Sequence, residues 1–252
     1  MTKPFASEYP EPKAKDRIIA ALDVATAAEA REIVAELRDA VGAFKIGSQL
    51  FTASGPDLVR EFTGAGLKIF LDLKFHDIPN TVANAAIEAA RLGVWMLNVH
   101  VLGGADMIKR TVDDVRGACQ REKIARPLVI GVTILTSSTD AMLYEVGIKS
   151  DVEAEVVRLA RLAADCGLDG IVASPYEAAV VRKSVKKPDF LIVTPGIRSL
   201  SATKDDQKRV KTVAQAIEDG SDFVVIGRPI IEAKNRLDAV RQIIGEVETT
   251  HK

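Results

Sequence analysis

Asp72, Lys74 and Asp77 stand in the run Ile69-Phe-Leu-Asp-Leu-Lys-Phe-His-Asp77, an ammonium between two carboxylates. Read as a strand, the run sends Ile69, Leu71 and Leu73 to one face and Asp72 and Lys74 to the other. The same phase turns Asp23 and Lys45 inward on the two preceding apolar segments, so that charges of alternating sign converge. Burying such groups is costly unless they have a task or further partners. A purely structural ion-pair network is the plain alternative, but apolar side chains would fill a core without that cost. Asp77 differs: three residues past Lys74, it lies about 10 Å further on at about 3.3 Å per residue and need not serve the same site.

A second constellation lies near the end of the chain, in Thr194-Pro-Gly-Ile-Arg198 and Ile226-Gly-Arg-Pro-Ile230. Gly196 and Gly227 let the backbone approach an anion closely, and Arg228 supplies a bidentate, charge-assisted contact. Each short segment alone is a weak signal. Together, at the ends of the last two strands of a barrel, they point to a phosphate, which usually binds at those loops.

The elements that must position these residues are marked by glycine joints. Gly42, Gly66, Gly93, Gly167 and Gly220 each precede a short apolar run, the pattern of a helix ending on glycine and a strand beginning. Eight strands are predicted, near 17-24, 43-50, 68-75, 94-102, 128-135, 170-175, 190-197 and 223-230, separated by stretches of helical period. After the first, Ala30, Ile33, Val34 and Leu37 share one stripe while Glu29, Arg31, Glu32, Glu36 and Arg38 lie elsewhere. Eight βα units in 252 residues describe a (β/α)8 barrel, the α/β fold of the TIM-barrel type. A doubly wound open sheet is the runner-up, but it usually has fewer strands and a Gly-rich first turn, and Leu22-Asp-Val-Ala-Thr26 has no glycine. No linker divides the chain, so residues 17-252 read as one barrel domain behind a loose tail at 1-16 rich in Pro and charge. Long polar connections at 136-150 and 199-211 fall on the carboxyl face, where barrels keep binding sites and lids.

Composition narrows the partners. Lys plus Arg number 34 against 35 Asp plus Glu, a net charge of -1, so no basic excess exists to neutralise nucleic-acid phosphates. Aromatic residues are 5% of the chain, too few to furnish platforms for stacked bases. Two cysteines, Cys119 and Cys166, make neither a disulfide framework nor a zinc site. No apolar run approaches the roughly 20 residues that a bilayer needs, and residues 1-16 have no apolar signal core, so a cytoplasmic protein without membrane contact is expected.

The segment Asp72-Leu-Lys74-Phe-His-Asp77-Ile78 resembles the D-x-K-x-x-D-I signature of the orotidine 5'-phosphate decarboxylase family. The resemblance continues in order through Ala21-Leu-Asp23, Phe44-Lys45-Ile-Gly, Val132-Thr-Ile-Leu-Thr136, Thr194-Pro-Gly-Ile-Arg198, Asp205-Asp-Gln207 and Ile226-Gly-Arg228-Pro229, over roughly residues 17 to 235. It implies cofactor-free decarboxylation of orotidine 5'-monophosphate at C6, giving UMP in pyrimidine synthesis. Lys74 is then the acid that protonates C6, Asp72 lies beside the departing carboxylate, and Lys45 and Asp23 meet the ribose hydroxyls. Asp77, Ile78 and Thr81 reach into a neighbouring subunit's site, making a homodimer the active unit. Thr136, or Ser137 beside it, meets the pyrimidine, while Pro195, Arg198, Gln207, Gly227 and Arg228 surround the phosphate.

Other residues read more plainly. His100 follows Met96 and Asn98 on the inward phase of strand 4 and is expected to be a hydrogen-bonded structural histidine, since the implied chemistry already has its acid. His76 is expected to anchor the loop or a subunit contact, Trp95 to pack outward under a helix, and Arg182, Lys183, Lys186 and Lys187 to form a solvated helix end. Asn80 and Thr81 are candidate caps for a helix carrying Val82, Ala86 and Ala89. Two competing functions remain. A Mg-dependent sugar-phosphate decarboxylase or lyase on a related barrel needs an acidic metal ligand at the end of strand 2, where this chain has Lys45. A non-catalytic phosphonucleotide-binding or scaffold protein has no use for intact Asp72, Lys74 and Asp77.

Overall fold

The stripe of Ala30, Ile33, Val34 and Leu37 is the buried face of helix α1 (Ala27–Leu37), which starts on a capping box between Thr26 and Glu29. Burying Ile33, Val34 and Leu37 contributes about 1.5 to 3 kcal/mol apiece. The same logic recurs around the molecule, a computed structural model that describes residues 13–196 and 211–249. Strands β1 (Ile18–Ala21), β2 (Ala43–Gly47), β3 (Ile69–Phe75), β4 (Met96–His100), β5 (Leu128–Val132), β6 (Gly170–Val172), β7 (Leu191–Pro195) and β8 (Phe223–Ile226) pair in parallel and close into a barrel. The seam joins Ile18–Ala20 of β1 to Val224–Ile226 of β8. Helices α2 (Ser48–Gly64), α3 (Pro79–Arg91), α4 (Gly104–Glu122), α5 (Asp140–Glu145), α6 (Val152–Asp165), α7 (Ala178–Ser184), α8 (Val213–Glu218), α9 (Arg228–Ile231) and α10 (Arg236–Thr249) complete the described α-helices. No helix among the described residues is long and apolar enough to cross a membrane.

The barrel therefore has two cores. A large one lies between strands and helices, and a small one fills the barrel with Ile19, Ala21, Ala43, Phe70, Met96, Ile130, Val193 and Val225. Trp95 belongs to the inner one, edge-on to Phe223 with ring centroids 5.1 Å apart, and not under a helix as its sequence phase suggested. It precedes the first residue of β4, so the alternation of the strand does not extend to it.

Several ends depart from expectation. The last strand stops at Ile226, because Gly227 turns out of it as the N-cap of α9, and Pro229 sits in the first turn of that helix, where its missing N–H is not needed. Helix α3 has Ile78 as its N-cap and Pro79 at its first position, with no side-chain cap, so Asn80 and Thr81 lie inside the first turn. Of the stretch expected as a tail, residues 1–12 lie outside the described residues, while Ala14–Arg17 form a 3-10 turn. Asp16 of that turn presses on Gly42 so closely that a Cβ there would stand 2.4 Å from its carbonyl oxygen.

The amino end of the barrel is tied by two carboxylates. Asp169 accepts from Val129 N at 2.8 Å and from both Arg126 amino groups at 2.9 and 2.7 Å. Asp222 accepts from Ile192 N at 2.8 Å and from Arg182, whose guanidinium also reaches the carbonyls of Gly220 and Phe190. The expected solvated cluster holds for Lys183, Lys186 and Lys187, all exposed, with Lys187 also donating to the Leu168 carbonyl at 3.1 Å; Arg182 departs from it as a clamp.

Candidate active site

At the carboxyl end, β1, β2 and β3 deliver the four charges to one row. Lys45 Nζ stands 2.9 Å from Asp23 Oδ1 and 3.4 Å from Asp72 Oδ2, and Lys74 Nζ stands 2.6 Å from Asp72 Oδ1. The interior of the row is dry and its ends are wet: the Lys45 side chain is 10% exposed, that of Lys74 36% and that of Asp23 58%. A low dielectric around Lys45 and Asp72 strengthens their attraction, and Lys74 keeps a path to whatever fills the space beyond.

Simple alternation does not fully describe how Lys74 gets there. The β3–β4 register runs Leu71↔Leu97 and then jumps to Phe75↔Val99, so Asp72, Leu73 and Lys74 leave the ladder. Lys74 takes φ 53°, a left-handed conformation rare for a residue with a Cβ. Such strain costs about 1 to 3 kcal/mol and persists only where its surroundings enforce it. Here Asn98 does so, accepting from Lys74 N at 2.8 Å and donating to Asp72 Oδ1 at 2.7 Å. Its inward phase on β4 was visible in sequence; its partners were not.

The row forms one wall of a cavity of about 670 Å³. Asp23, Lys45, Asp72, Lys74, Thr136, Pro195, Gly227 and Arg228 all line it. Of the two candidates after β5, Thr136 lines it and Ser137 is not among its lining residues. Ile134, Leu135 and Glu232 also line it, unforeseen in the sequence. Gly196, at φ 79°, turns the chain out of β7, and Gly227 leaves its Cβ position 3.5 Å from Asp23 Oδ2, so the phosphate-type loop and the ionic row share a border. Arg198 and Gln207 lie outside the described residues. Asp77, Ile78 and Thr81 are exposed and line no part of their own chain's cavity; Asp77 Oδ1 instead accepts from Ile78 N at 2.6 Å.

His100 departs from its expectation. Its Nδ1 is buried without a hydrogen-bond partner, and its ring packs against that of His76 with centroids 5.3 Å apart. Burial first, then the neighbouring His76 and Lys74, hold its pKa below the ordinary histidine value against an opposing pull from Asp72. Among the described residues no group of three or more His, Cys, Asp or Glu side chains is arranged to hold a metal ion.

Fold and cavity together define a (β/α)8-barrel enzyme whose polar pocket opens at the carboxyl ends of the strands, with charge on one side and an anion-type loop on the other. Residues 16–243 match the family described as Orotidine 5'-phosphate decarboxylase / HUMPS, and the chain belongs to that family. It is 51% identical over 235 residues to the orotidine 5'-phosphate decarboxylase of Syntrophotalea carbinolica, covering 93% of this chain and 96% of that one. The Geobacter sulfurreducens enzyme of the same name is 50% identical over 235 residues, 93% of this chain and 97% of its own. The crystal structure of orotidine 5'-phosphate decarboxylase from Lactobacillus acidophilus superposes with a TM-score of 0.80 at 37% identity, covering 91% of this chain and 98% of the other.

Proposed function

We propose that this protein is an orotidine 5'-phosphate decarboxylase, converting orotidine 5'-monophosphate to UMP and CO2, the last step of UMP synthesis. The observation that carries the reading is the alternating row Asp23–Lys45–Asp72–Lys74 at the mouth of the barrel, with Lys74 held in a strained backbone conformation. In this reading the C6–carboxylate bond breaks, the electron pair stays on C6, and Lys74 gives C6 a proton as CO2 leaves. Asp72 adjoins the departing carboxylate, Asp23 and Lys45 hold the ribose hydroxyls, and Thr136 meets the pyrimidine. Pro195, Gly227 and Arg228, with Arg198 and Gln207, bind the phosphate.

Magnitudes sort the contributions. Enzymes lower barriers by roughly 8 to 23 kcal/mol, whereas stress between Asp72 and the substrate carboxylate supplies only about 1 to 5 kcal/mol. The larger share falls to the Lys74 ammonium, pre-positioned where negative charge develops, and to phosphate binding energy. The reaction needs no cofactor. The metal-dependent sugar-phosphate alternative is disfavoured because Lys45 Nζ, 3.4 Å from Asp72, puts a cation where Mg²⁺ would have to sit.

The active unit is a homodimer with shared sites, which gives the exposed Asp77, Ile78 and Thr81 a cavity to line, that of the partner subunit. A cytoplasmic location suits the reading. Loss of orotidine 5'-monophosphate absorbance, followed with the purified protein before and after exhaustive dialysis against a chelator, tests the activity. Turnover unchanged by dialysis is expected; no turnover, or turnover restored by Mg²⁺, overturns the reading. For the dimer, Lys74→Ala and Asp77→Ala chains, each nearly dead alone, are unfolded, mixed and refolded. Random pairing makes half the dimers hybrid with one intact site each, so about a quarter of wild-type activity returns. No recovery despite hybrid formation assigns Asp77 to its own subunit or to no site.

A further inference from the structure

The backbone N–H of Lys74 has left the β3–β4 ladder, and a buried N–H must be paired elsewhere. We propose that Asn98 is a positioning residue whose side-chain amide enforces the left-handed turn at Lys74 and aims the Asp72 carboxylate at the Lys74 ammonium. The inference rests on the reading of Lys74 as the proton donor.

Asn98 is 1% exposed and lies between Leu97 and Val99, the two β4 residues between which the register jumps. Its carbonyl oxygen takes the Lys74 N–H at 2.8 Å, and its amino group gives a hydrogen bond to Asp72 Oδ1 at 2.7 Å. The opposite orientation of the amide would set NH2 against N–H and oxygen against carboxylate, so the network fixes its direction. Asp72 Oδ1 then accepts from both Asn98 and Lys74 Nζ, leaving Oδ2 turned to Lys45. One side chain therefore sets the backbone of the donor and the direction of its carboxylate partner. The site asks for an acceptor and a donor on one short planar group. Ionised aspartate supplies only the acceptor, serine is too short, and glutamine is one methylene too long.

Asn98→Ala and Asn98→Asp test this by steady-state kinetics on orotidine 5'-monophosphate across pH, with thermal melting to check folding. Misplacing a reacting group by about 1 Å costs roughly 100-fold, so Asn98→Ala is expected to lower kcat by about 10- to 100-fold and to leave KM within about threefold. The phosphate loops that dominate KM are untouched. In Asn98→Asp the new carboxyl both accepts and donates when protonated, so its kcat relative to wild type rises as pH falls from about 8 to about 5.5, while that of Asn98→Ala stays flat. A merely structural role moves neither ratio with pH. The proposal is overturned by wild-type kcat in Asn98→Ala, by a loss confined to KM, or by an Asn98→Asp series with no rise toward low pH. If Asn98→Ala does not fold, the Asn98→Asp series decides alone. Wild-type protein that does not turn over the substrate refutes the proposed function instead. A crystal structure of Asn98→Asp at high pH then decides the positioning role: Lys74 Nζ beyond 4 Å of Asp72, the usual limit of an ion pair, supports it, and the row as found here overturns it.

Discussion

At the amino end of the barrel Asp169 and Asp222 each take an arginine and a backbone N–H, Asp169 on both of its oxygens and Asp222 on Oδ2. At the carboxyl end Asp72 is equally well supplied, yet the row it belongs to ends on Lys74, an ammonium 36% exposed on a left-handed backbone. Both ends bear the desolvation cost of charge. One closes its network and ties neighbouring strands; the other leaves the last member facing an open cavity. The contrast separates charge that ties neighbouring strands from charge that faces a cavity, and it is visible from hydrogen-bond partners and exposure together.

The largest expected effect sharpens that separation. Lys74→Ala should lower kcat by about 10³-fold or more, while Lys74→Gly, equally dead, should unfold at higher denaturant, because glycine relieves about 1 kcal/mol of left-handed strain. Urea melts of the two variants check this; equal midpoints would mean that the turn at Lys74 stores no strain. Next, Asp222→Ala leaves the Ile192 N–H and the Arg182 guanidinium short of a partner and should cost about 2 to 3 kcal/mol in urea unfolding. Its kcat should remain within about twofold of wild type; a parallel fall in kcat would show that the two ends are not separable.

The smallest effect belongs to His100. Its depressed pKa means that the unfolded chain takes up the proton first, so this contribution is whole above the ordinary value of 6.5 and is lost as pH falls below it toward the folded value. His100→Phe, which keeps a ring against His76, should flatten that acid-side loss in urea midpoints measured at a series of pH values. An unchanged slope would place the titration elsewhere.

The fold was legible where a period repeats. The stripe of α1 and the inward phase of Asp23, Lys45 and Asp72 needed only spacing. What escaped were exceptions to a period. Lys74 reaches the row through a break in the ladder, Trp95 lies before its strand begins, and β8 stops ahead of Pro229. Asn98 and Arg182 were hidden for another reason: an amide or a guanidinium in a chain says what it can bond, and only the assembled barrel says to what. His100 shows the reverse, a group expected to be bonded whose Nδ1 is not.

The seam between β1 and β8 has a consequence for synthesis. Ile18–Ala20, of the first strand made, pair with Val224–Ile226, of the eighth, and a closure between distant segments must wait for both. Gly227, just past that seam, borders Asp23, just past its other side. A nascent chain halted before β8 holds Lys45, Asp72 and Lys74 but has an unpaired edge at β1 and no completed mouth. Ribosome-bound intermediates should therefore be inert toward substrate and prone to edge pairing until the final turn of the barrel emerges.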